Sequence, residues 1–440
     1  MTGIGIDSLC RHIQAAPRIR QVGRVMQVVG TIIEAQLPGV AVGAIADVGE
    51  TRAEVVGFRE NRALLMPLGS LQGISHGDPV RVQDEALTLP VGDAVLGRVI
   101  DPLGVPLDGR PLRDVTARRS LMAAPPEAMS RSRIQRPLPT GIRAIDGLLS
   151  LGEGQRVAIM AGSGVGKSTL LGMVARSSQA DVNVVCLVGE RGREVREFLE
   201  RDLGPEGLAK SVVIVATSDR APVILVKAVQ AAMSAAEHFR DEGKRVLLMV
   251  DSLTRLAMAQ RQIGLAAGEP PATRGYTPSV FTLLPRLLER AGPGAGEGSI
   301  TAVTTVLVEG DDMDDPVADT VRGIVDGHIV LSRKLASHGH YPAIDVLESV
   351  SRTMTSTAPA EQIEAAHTVR DLMATWRENE ELIRLGAYRK GTDPKVDRAI
   401  KAWPAITEYL RQGVEESEGY SATLQKLVAL AAKPAKPAKK

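Results

Sequence analysis

Hydrophobic and polar positions follow three rhythms along the chain. Between residues 21 and 90, VGRVMQVVGTIIEAQL, AEVVGFRENRALLMPL and DPVRV are short β-rich runs broken by Gly, Pro and polar turns. Short strands at this spacing predict a small barrel or sandwich. From about residue 141 to 355, apolar runs (RVAIM, NVVCLVG, SVVIVAT, RVLLMV, ITAVTTVLV, GHIVL) alternate with helical stretches. Strands rich in β-branched residues and apolar on both faces belong to parallel sheets covered by helices, so an α/β core is expected here. Residues 360–430 keep a helical period with few strand signals.

The remaining segments fall between or outside these blocks. Ile6, Leu9 and Ile13 share one helical face, which predicts a short N-terminal helix. Residues 91–140 are rich in Pro and Arg and read as a connector with turns. The last residues, AAKPAKPAKK, are low-complexity and basic, as in a solvated tail. The expected order is an extension (1–20), a β-barrel domain (21–90), an α/β domain (91–358, with its connector at 91–140), a helical domain (359–430) and the tail (431–440).

Composition narrows the function. The 440 residues are 44% hydrophobic, enough for a sizeable core. The 53 Lys and Arg nearly balance the 52 Asp and Glu, a net charge of +1. That argues against bulk attraction to nucleic acid or an anionic membrane. Aromatic residues are only 2%, too few for a surface built on base stacking. No apolar run approaches the 18 or so residues of a membrane span. The N-terminus has scattered apolar residues among Asp7, Arg11, Arg18 and Arg20, unlike a signal peptide. Cys10 and Cys186 form no metal or disulfide pattern, and point to a reducing, cytoplasmic setting.

The candidate chemistry begins at AGSGVGKS, Ala161–Ser168, between the apolar run RVAIM and the helical TLLGMVAR. Strand, Gly-rich loop and helix start are the context a phosphate-binding loop requires. Gly162, Ser163, Gly164, Val165, Gly166 and Thr169 complete the candidate ATP cradle. Its N–H groups and the helix N-terminus would face the phosphates. Lys167 would reach the β- and γ-phosphates, and Ser168 would ligate Mg²⁺. One position departs from the G-x-x-x-x-G-K-[ST] pattern: Ala161 stands where glycine is usual.

Two carboxylates follow at predicted strand ends. Glu190, in VGERGREVREFL, could orient the attacking water, because open α/β sheets bind ligands beyond the carboxyl ends of their strands. Asp251 ends the apolar run Val246–Val250, a Walker B pattern that delivers one carboxylate toward Mg²⁺. Alone, that run is a weak signal, and the phosphate loop upstream gives it weight. Arg255 reads equally as a γ-phosphate sensor or a surface arginine. Arg352, in HYPAIDVLESVSR, has nothing in sequence to bring it to its own site. It reads as a salt-bridge residue or as a finger entering a neighbouring subunit's site.

Together these motifs resemble the rotary-type RecA-like ATPases, which include ATP synthase subunits and the ATPases of type III protein export. PAIDVLESVS, Pro342–Ser351, matches the superfamily signature, and the likeness covers about residues 20–410. The export branch is the most similar. GIRAIDGLLSLGEGQRV, GERGREVREFLE, DSLTRLAMAQRQIGLAAGEPPATRGYTPSVF, LPRLLERAG and EGDDMDDPVAD follow its order and spacing. Export ATPases also commonly carry alanine at the Ala161 position. FLERDLGPEGLAKSVVIVATSDR and GDDMDDPVADTVRGI look like the injectisome branch, and MAGSGVGKS more like the flagellar one. SDRAPVILVKA carries less charge than in injectisome members, and no functional account of that change is at hand.

The resemblance implies a RecA-like P-loop NTPase core between an N-terminal β-barrel and a C-terminal helical domain. It implies ATP hydrolysis with Mg²⁺, Glu190 as the catalytic carboxylate, Arg191 in support, Arg352 acting in trans and Tyr341 stacking on adenine. It also implies a homohexamer, cytoplasmic and peripheral to the inner membrane, that unfolds secreted substrates and releases their chaperones. A stator-like regulator and a central stalk protein would be its partners. The first alternative is a flagellar export ATPase. A Rho-type RNA translocase would need a basic, aromatic N-terminal domain, and residues 21–90 hold a single aromatic, Phe58. A non-catalytic ring subunit would lack Glu190. A catalytic subunit of ATP synthase would need a second subunit type.

Overall fold

The computed structural model describes residues 22–83 and 86–432, apart from the side chain of Asp311. The predicted N-terminal helix, Cys10 and residues 433–440 of the tail lie outside the described residues. The chain divides into two compact units. One ends at Leu87 and includes Ala266–Gly268; the other holds the rest.

The first unit is a closed six-stranded barrel of β1 (Val22–Val29), β2 (Ile32–Gln36), β3 (Ile45–Val48), β4 (Thr51–Arg59), β5 (Arg62–Pro67) and β6 (Pro79–Val82). The strand order is β1-β2-β5-β4-β3-β6, closed by antiparallel pairing of β1 with β6. Alternate residues fill the interior: Val25, Ile33, Ala35, Ala53, Val55, Leu65 and Val80 are all buried. Closure leaves no unpaired edge. The two long apolar runs of the sequence each became a hairpin, and DPVRV became β6. The short strand β3 is additional; its four residues carry too little pattern to stand out.

The second unit is built on one large sheet. After β7 (Thr88–Val91), the expected connector supplies β8 (Arg98–Ile100) and β9 (Ala117–Ser120). β7 pairs with β9, while β8 joins the edge of the main sheet. The six apolar runs became β10 (Arg156–Ala161), β11 (Val182–Glu190), β12 (Ser211–Thr217), β13 (Arg245–Asp251), β15 (Ser299–Leu307) and β16 (Gly327–Leu331). A short β14 (Gly292–Pro293) flanks β15. β17 (Ile344–Ser351) closes the order β17-β16-β10-β15-β13-β11-β12-β8. All neighbours along it are parallel except β16 and β17. Parallel strands send all their C-terminal ends to one edge, and that edge holds the site.

Helices Ala360–Arg384, Pro394–Leu410 and Tyr420–Ala431 form the C-terminal block. Asp393 caps the second of these, accepting from the Lys395 amide at 2.7 Å. The chain's two tryptophans, Trp376 and Trp403, stack between the first two helices at 4.8 Å with an 8° interplanar angle. Val369, Leu372, Ala399, Ile406 and Leu427 fill the space around them. Cys186 is a free, buried thiol in β11, and burial followed by the charge of Asp251 raises its pKa. No helix among the described residues is long and apolar enough to cross a membrane.

Candidate active site

The phosphate loop leaves β10 and turns into the helix Lys167–Ser177. Gly164 and Gly166 take φ of 76° and 90°, a backbone that side chains with a Cβ rarely adopt. Ala161 lies before this curl. It is the last residue of β10, pairs with Leu307 and Leu331 on either side, and is buried. Its extended backbone carries a methyl group without strain, so the missing glycine costs the loop nothing.

Four charged side chains converge at the loop. Lys167 Nζ donates to Asp251 Oδ1 at 2.5 Å and lies 3.9 Å from Glu190 Oε1. Thr305, on the neighbouring β15, donates its hydroxyl to the same Asp251 oxygen at 2.7 Å. Glu190 and Asp251 end adjacent strands; Leu187 is the Cα partner of Asp251. Arg255 Nε lies 3.2 Å from Glu190 Oε1, yet it is buried and makes no aligned hydrogen bond. Its side chain passes so close to Gly189 that a Cβ there would sit 2.8 Å from Arg255 Cδ. Glycine at 189, with φ of 68°, is what admits the arginine.

These surroundings alter Glu190. Burial, the Asp251 charge and a hydrogen bond to Glu194 push its carboxyl up to about 7, against the pull of Lys167 and Arg255. The same hydrogen bond lowers the pKa of Glu194, so Glu190 is the donor and Glu194 the acceptor. A carboxyl poised near neutrality can take and return a proton at working pH. Arg191 precedes the helix Gly192–Glu197 without a side-chain cap bond; its guanidinium is 74% exposed and lies 3.7 Å from Glu194.

A cavity of about 300 Å³ lies on the other flank of the loop. Gly164, Gly166, Thr169 and Met173 form one wall, Tyr341 and Pro342 another, and Gln412 and Val414 a third. Tyr341 and the phosphate loop are thus brought together. Arg352 is not. β17 runs antiparallel to β16, with Ile344 beside Leu331 and Ser351 beside Gly327. Leu331 is level with Ala161, so Tyr341 precedes the end of β17 near the loop and Arg352 follows the far end. At about 3.3 Å per residue, the strand separates them by roughly 25 Å. Arg352 is exposed, and no ion pair of its side chain occurs among the described residues.

Comparison with known proteins bears directly on this arrangement. Residues 141–351 match the ATP synthase alpha/beta family nucleotide-binding domain, and residues 25–82 match that family's beta-barrel domain. Residues 358–429 match the T3SS EscN ATPase C-terminal domain. A type 3 secretion system ATPase of Xanthomonas euvesicatoria is 50% identical over 417 residues, covering 93% of this chain and 94% of the relative. The chain belongs to the type III secretion ATPase family. It is therefore an ATPase. A flagellum-specific ATP synthase of Bacillus subtilis is nearly as similar, 49% identical over 417 residues and covering 93% of this chain and 95% of the relative. The assembled ATPase EscN of the enteropathogenic E. coli type III secretion system superposes with a TM-score of 0.89 at 46% identity, covering 93% of this chain and all of that one.

Four residues at this ATPase's site carry no clear signal in the sequence. Glu194 sits inside GREVRE, a charged helix whose face toward Glu190 is set only by packing. Thr305 is one threonine of several in TAVTTVLV. Gln412 and Val414 lie in the C-terminal block, far from every other site residue in the chain. As for metal, no group of three or more His, Cys, Asp or Glu side chains is poised to bind one among the described residues. Mg²⁺ takes one or two protein oxygens and completes its shell with phosphates and water. The Ser168 hydroxyl and the Asp251 carboxylate are a donor set of that kind.

Proposed function

We propose that this ATPase binds ATP with its phosphates over Gly162–Thr169 and its base in the cavity between Tyr341 and Val414. Ser168 and Asp251 would hold Mg²⁺, which supplies positive charge against the charge that develops on the phosphates. Lys167 then exchanges its contact with Asp251 for the β- and γ-phosphates. The unaligned Arg255 donor turns to the γ-phosphate. Glu190, deprotonated and released from its hydrogen bond to Glu194, orients the attacking water, and Arg191 beside Glu194 offsets the charge of that second carboxylate. Hydrolysis by positioning and charge is the pattern of phosphoryl transfer in P-loop enzymes.

The observation that carries the assembly is the separation of Arg352 from the loop of its own chain. An exposed arginine at the far end of β17 can serve a site only in another copy. We infer a homohexameric ring in which each site takes Arg352 from its neighbour. Relatives in assembled form, one in complex with its central stalk, support a ring and a stalk partner. The ring would energise type III protein export, unfolding substrates and releasing chaperones, at the cytoplasmic face of the inner membrane and beside a stator-like regulator. A flagellar export ATPase is the second reading, favoured by the relatives of that name at nearly equal identity.

Complementation tests the shared site. Arg352→Ala and Glu190→Gln should each be inactive alone. Mixed rings of the two should regain activity, because some interfaces then hold both groups intact. Mixed rings that demonstrably form and stay inactive would remove the in-trans role.

A further inference from the structure

Asp251 receives two hydrogen bonds at the same oxygen. Lys167 Nζ and the Thr305 hydroxyl both donate to Oδ1, at 2.5 and 2.7 Å. Asp251 and Thr305 are both buried. The Thr305 hydroxyl also lies 3.4 Å from Val250 O. It has one proton to give, and the charged oxygen is both the nearer and the stronger acceptor.

The place of Thr305 is set by strands rather than by a ligand. β15 lies between β10, which feeds the phosphate loop, and β13, which ends in Asp251. Thr304 is the Cα partner of Val250, so Thr305 and Asp251 come next on parallel neighbours. Successive strand residues point to opposite faces. Val303 and Met249, two residues earlier, pack in one core cluster, so Thr305 and Asp251 share that face. The Leu307 N–H donates to the Thr254 hydroxyl at 2.8 Å, and the Val308 N–H to Ala161 O at 3.0 Å. The end of β15 is thereby tied to the helix Leu253–Ala267 on one side and to the end of β10 on the other.

The two donors differ in what becomes of them. In the proposed site Lys167 leaves Asp251 for the phosphates, while Thr305 stays where its strand holds it. The last torsion of an aspartate side chain is broad, so an untethered carboxylate turns easily. One fixed hydrogen bond at Oδ1 stops that rotation. We infer that Thr305 is a positioning residue for Mg²⁺: its hydroxyl holds Asp251 by one oxygen and so aims the other at the ion's shell. The inference rests on the proposed placement of Mg²⁺ at Ser168 and Asp251. Thr305 acts only through Asp251, and the kind of ion reveals it. Mg²⁺ demands near-ideal octahedral geometry, whereas Ca²⁺ accepts a flexible shell. A carboxylate free to turn therefore penalises Mg²⁺ and leaves Ca²⁺ nearly untouched.

The test is the affinity of the full chain for ADP, measured by isothermal titration calorimetry with Mg²⁺ or Ca²⁺ in excess. Thr305→Val keeps the shape and removes the hydroxyl; Thr305→Ser keeps the hydroxyl. Partners that orient metal ligands are worth roughly 10–100-fold in metal affinity. Thr305→Val should therefore weaken ADP binding about tenfold or more with Mg²⁺, and less than about threefold with Ca²⁺. Thr305→Ala removes the same hydroxyl with more room and should repeat that result. Thr305→Ser should bind as the wild type does. No loss with Mg²⁺, an equal loss with both ions, or a serine variant as weak as the valine one overturns the inference. Asp251→Asn tests the reading beneath it and should weaken ADP binding with both ions. If it does so while Thr305→Val does not, only the role of Thr305 falls. If it changes nothing, the metal does not belong at Asp251, and the role of Thr305 falls with it.

Discussion

Asp146 and Glu190 are both buried carboxyls of the second unit, and they are treated in opposite ways. Asp146, 1% exposed, sits in the helix Arg143–Leu148 and faces back on the turn before it. It accepts from the amides of Thr140 and Gly141 at 2.8 Å each and from the Thr140 hydroxyl at 2.7 Å. Burial pushes it up to about 6, and those donors pull against the rise. Glu190, 9% exposed, has cations at 3.2 and 3.9 Å, one of them unaligned, and a neighbouring carboxyl. One carboxylate is satisfied by its own loop; the other is left for something that arrives. Buried polar groups are normally paired, so the poorly paired one marks the site.

Substitution should separate the two sharply. Glu190→Gln is expected to lower kcat by about 10²–10⁴-fold, the span of general acid–base catalysis, without loss of thermal stability. An inactive variant that also melts well below wild type would erase the distinction. Asp146→Ala should do the reverse. It strands two buried amides and a hydroxyl, at about 1–3 kcal/mol for each unpaired group, so denaturant unfolding should show a loss of about 3 kcal/mol or more. Wild-type stability in that variant would mean the turn finds other partners.

The third expectation concerns pH. In the proposed role Glu190 is ionised when it orients water, and its carboxyl is pushed up to about 7. Activity as kcat/KM should therefore rise with pH through about that value, since this ratio reports the free enzyme. Arg255 lowers the Glu190 pKa, so Arg255→Ala should move the midpoint upward; a midpoint that stays or falls removes the coupling. Stability runs the other way. Both carboxyls stand above their unfolded values, so each contributes stability that is fully present below about pH 4. That contribution is lost as pH rises through about 6 for Asp146 and about 7 for Glu190. The smallest effect is expected at Ala161, which serves neither carboxyl. Ala161→Gly should cost about 0.5–1 kcal/mol of stability, as glycine does inside a strand, and leave the KM for ATP unchanged. A clear gain in affinity would mean that the methyl group does obstruct the loop.

Much of this was legible in the chain. AGSGVGKS, GER and VLLMVD are local patterns: the strand, the turn and the first helical turn are written in consecutive residues. Glu190 and Asp251 stand at the ends of their strands, and Lys167 opens the helix after the Gly-rich turn, as the local patterns predict. The six apolar runs foretold the sheet because strands buried on both faces must be apolar throughout. β8 was hidden in a Pro-rich stretch, since three residues carry too short a pattern.

The rest depends on residues meeting across hundreds of positions. Gln412 and Val414 wall the cavity beside the phosphate loop only because Arg143 ties their segment to the helix before β10. Glu194 and Thr305 meet Glu190 and Asp251 through a helix orientation and a strand neighbour that packing selects. The antiparallel course of β17 carries Tyr341 to the loop and Arg352 away from it. By itself, the sequence determined the Gly-rich turn before a helix and the carboxylates at two strand ends, because each is built from consecutive residues. The tertiary structure decided which residues wall the cavity beside the loop and that Arg352 lies far from the loop of its own chain, because only the packing of strands and helices fixes distances between remote residues.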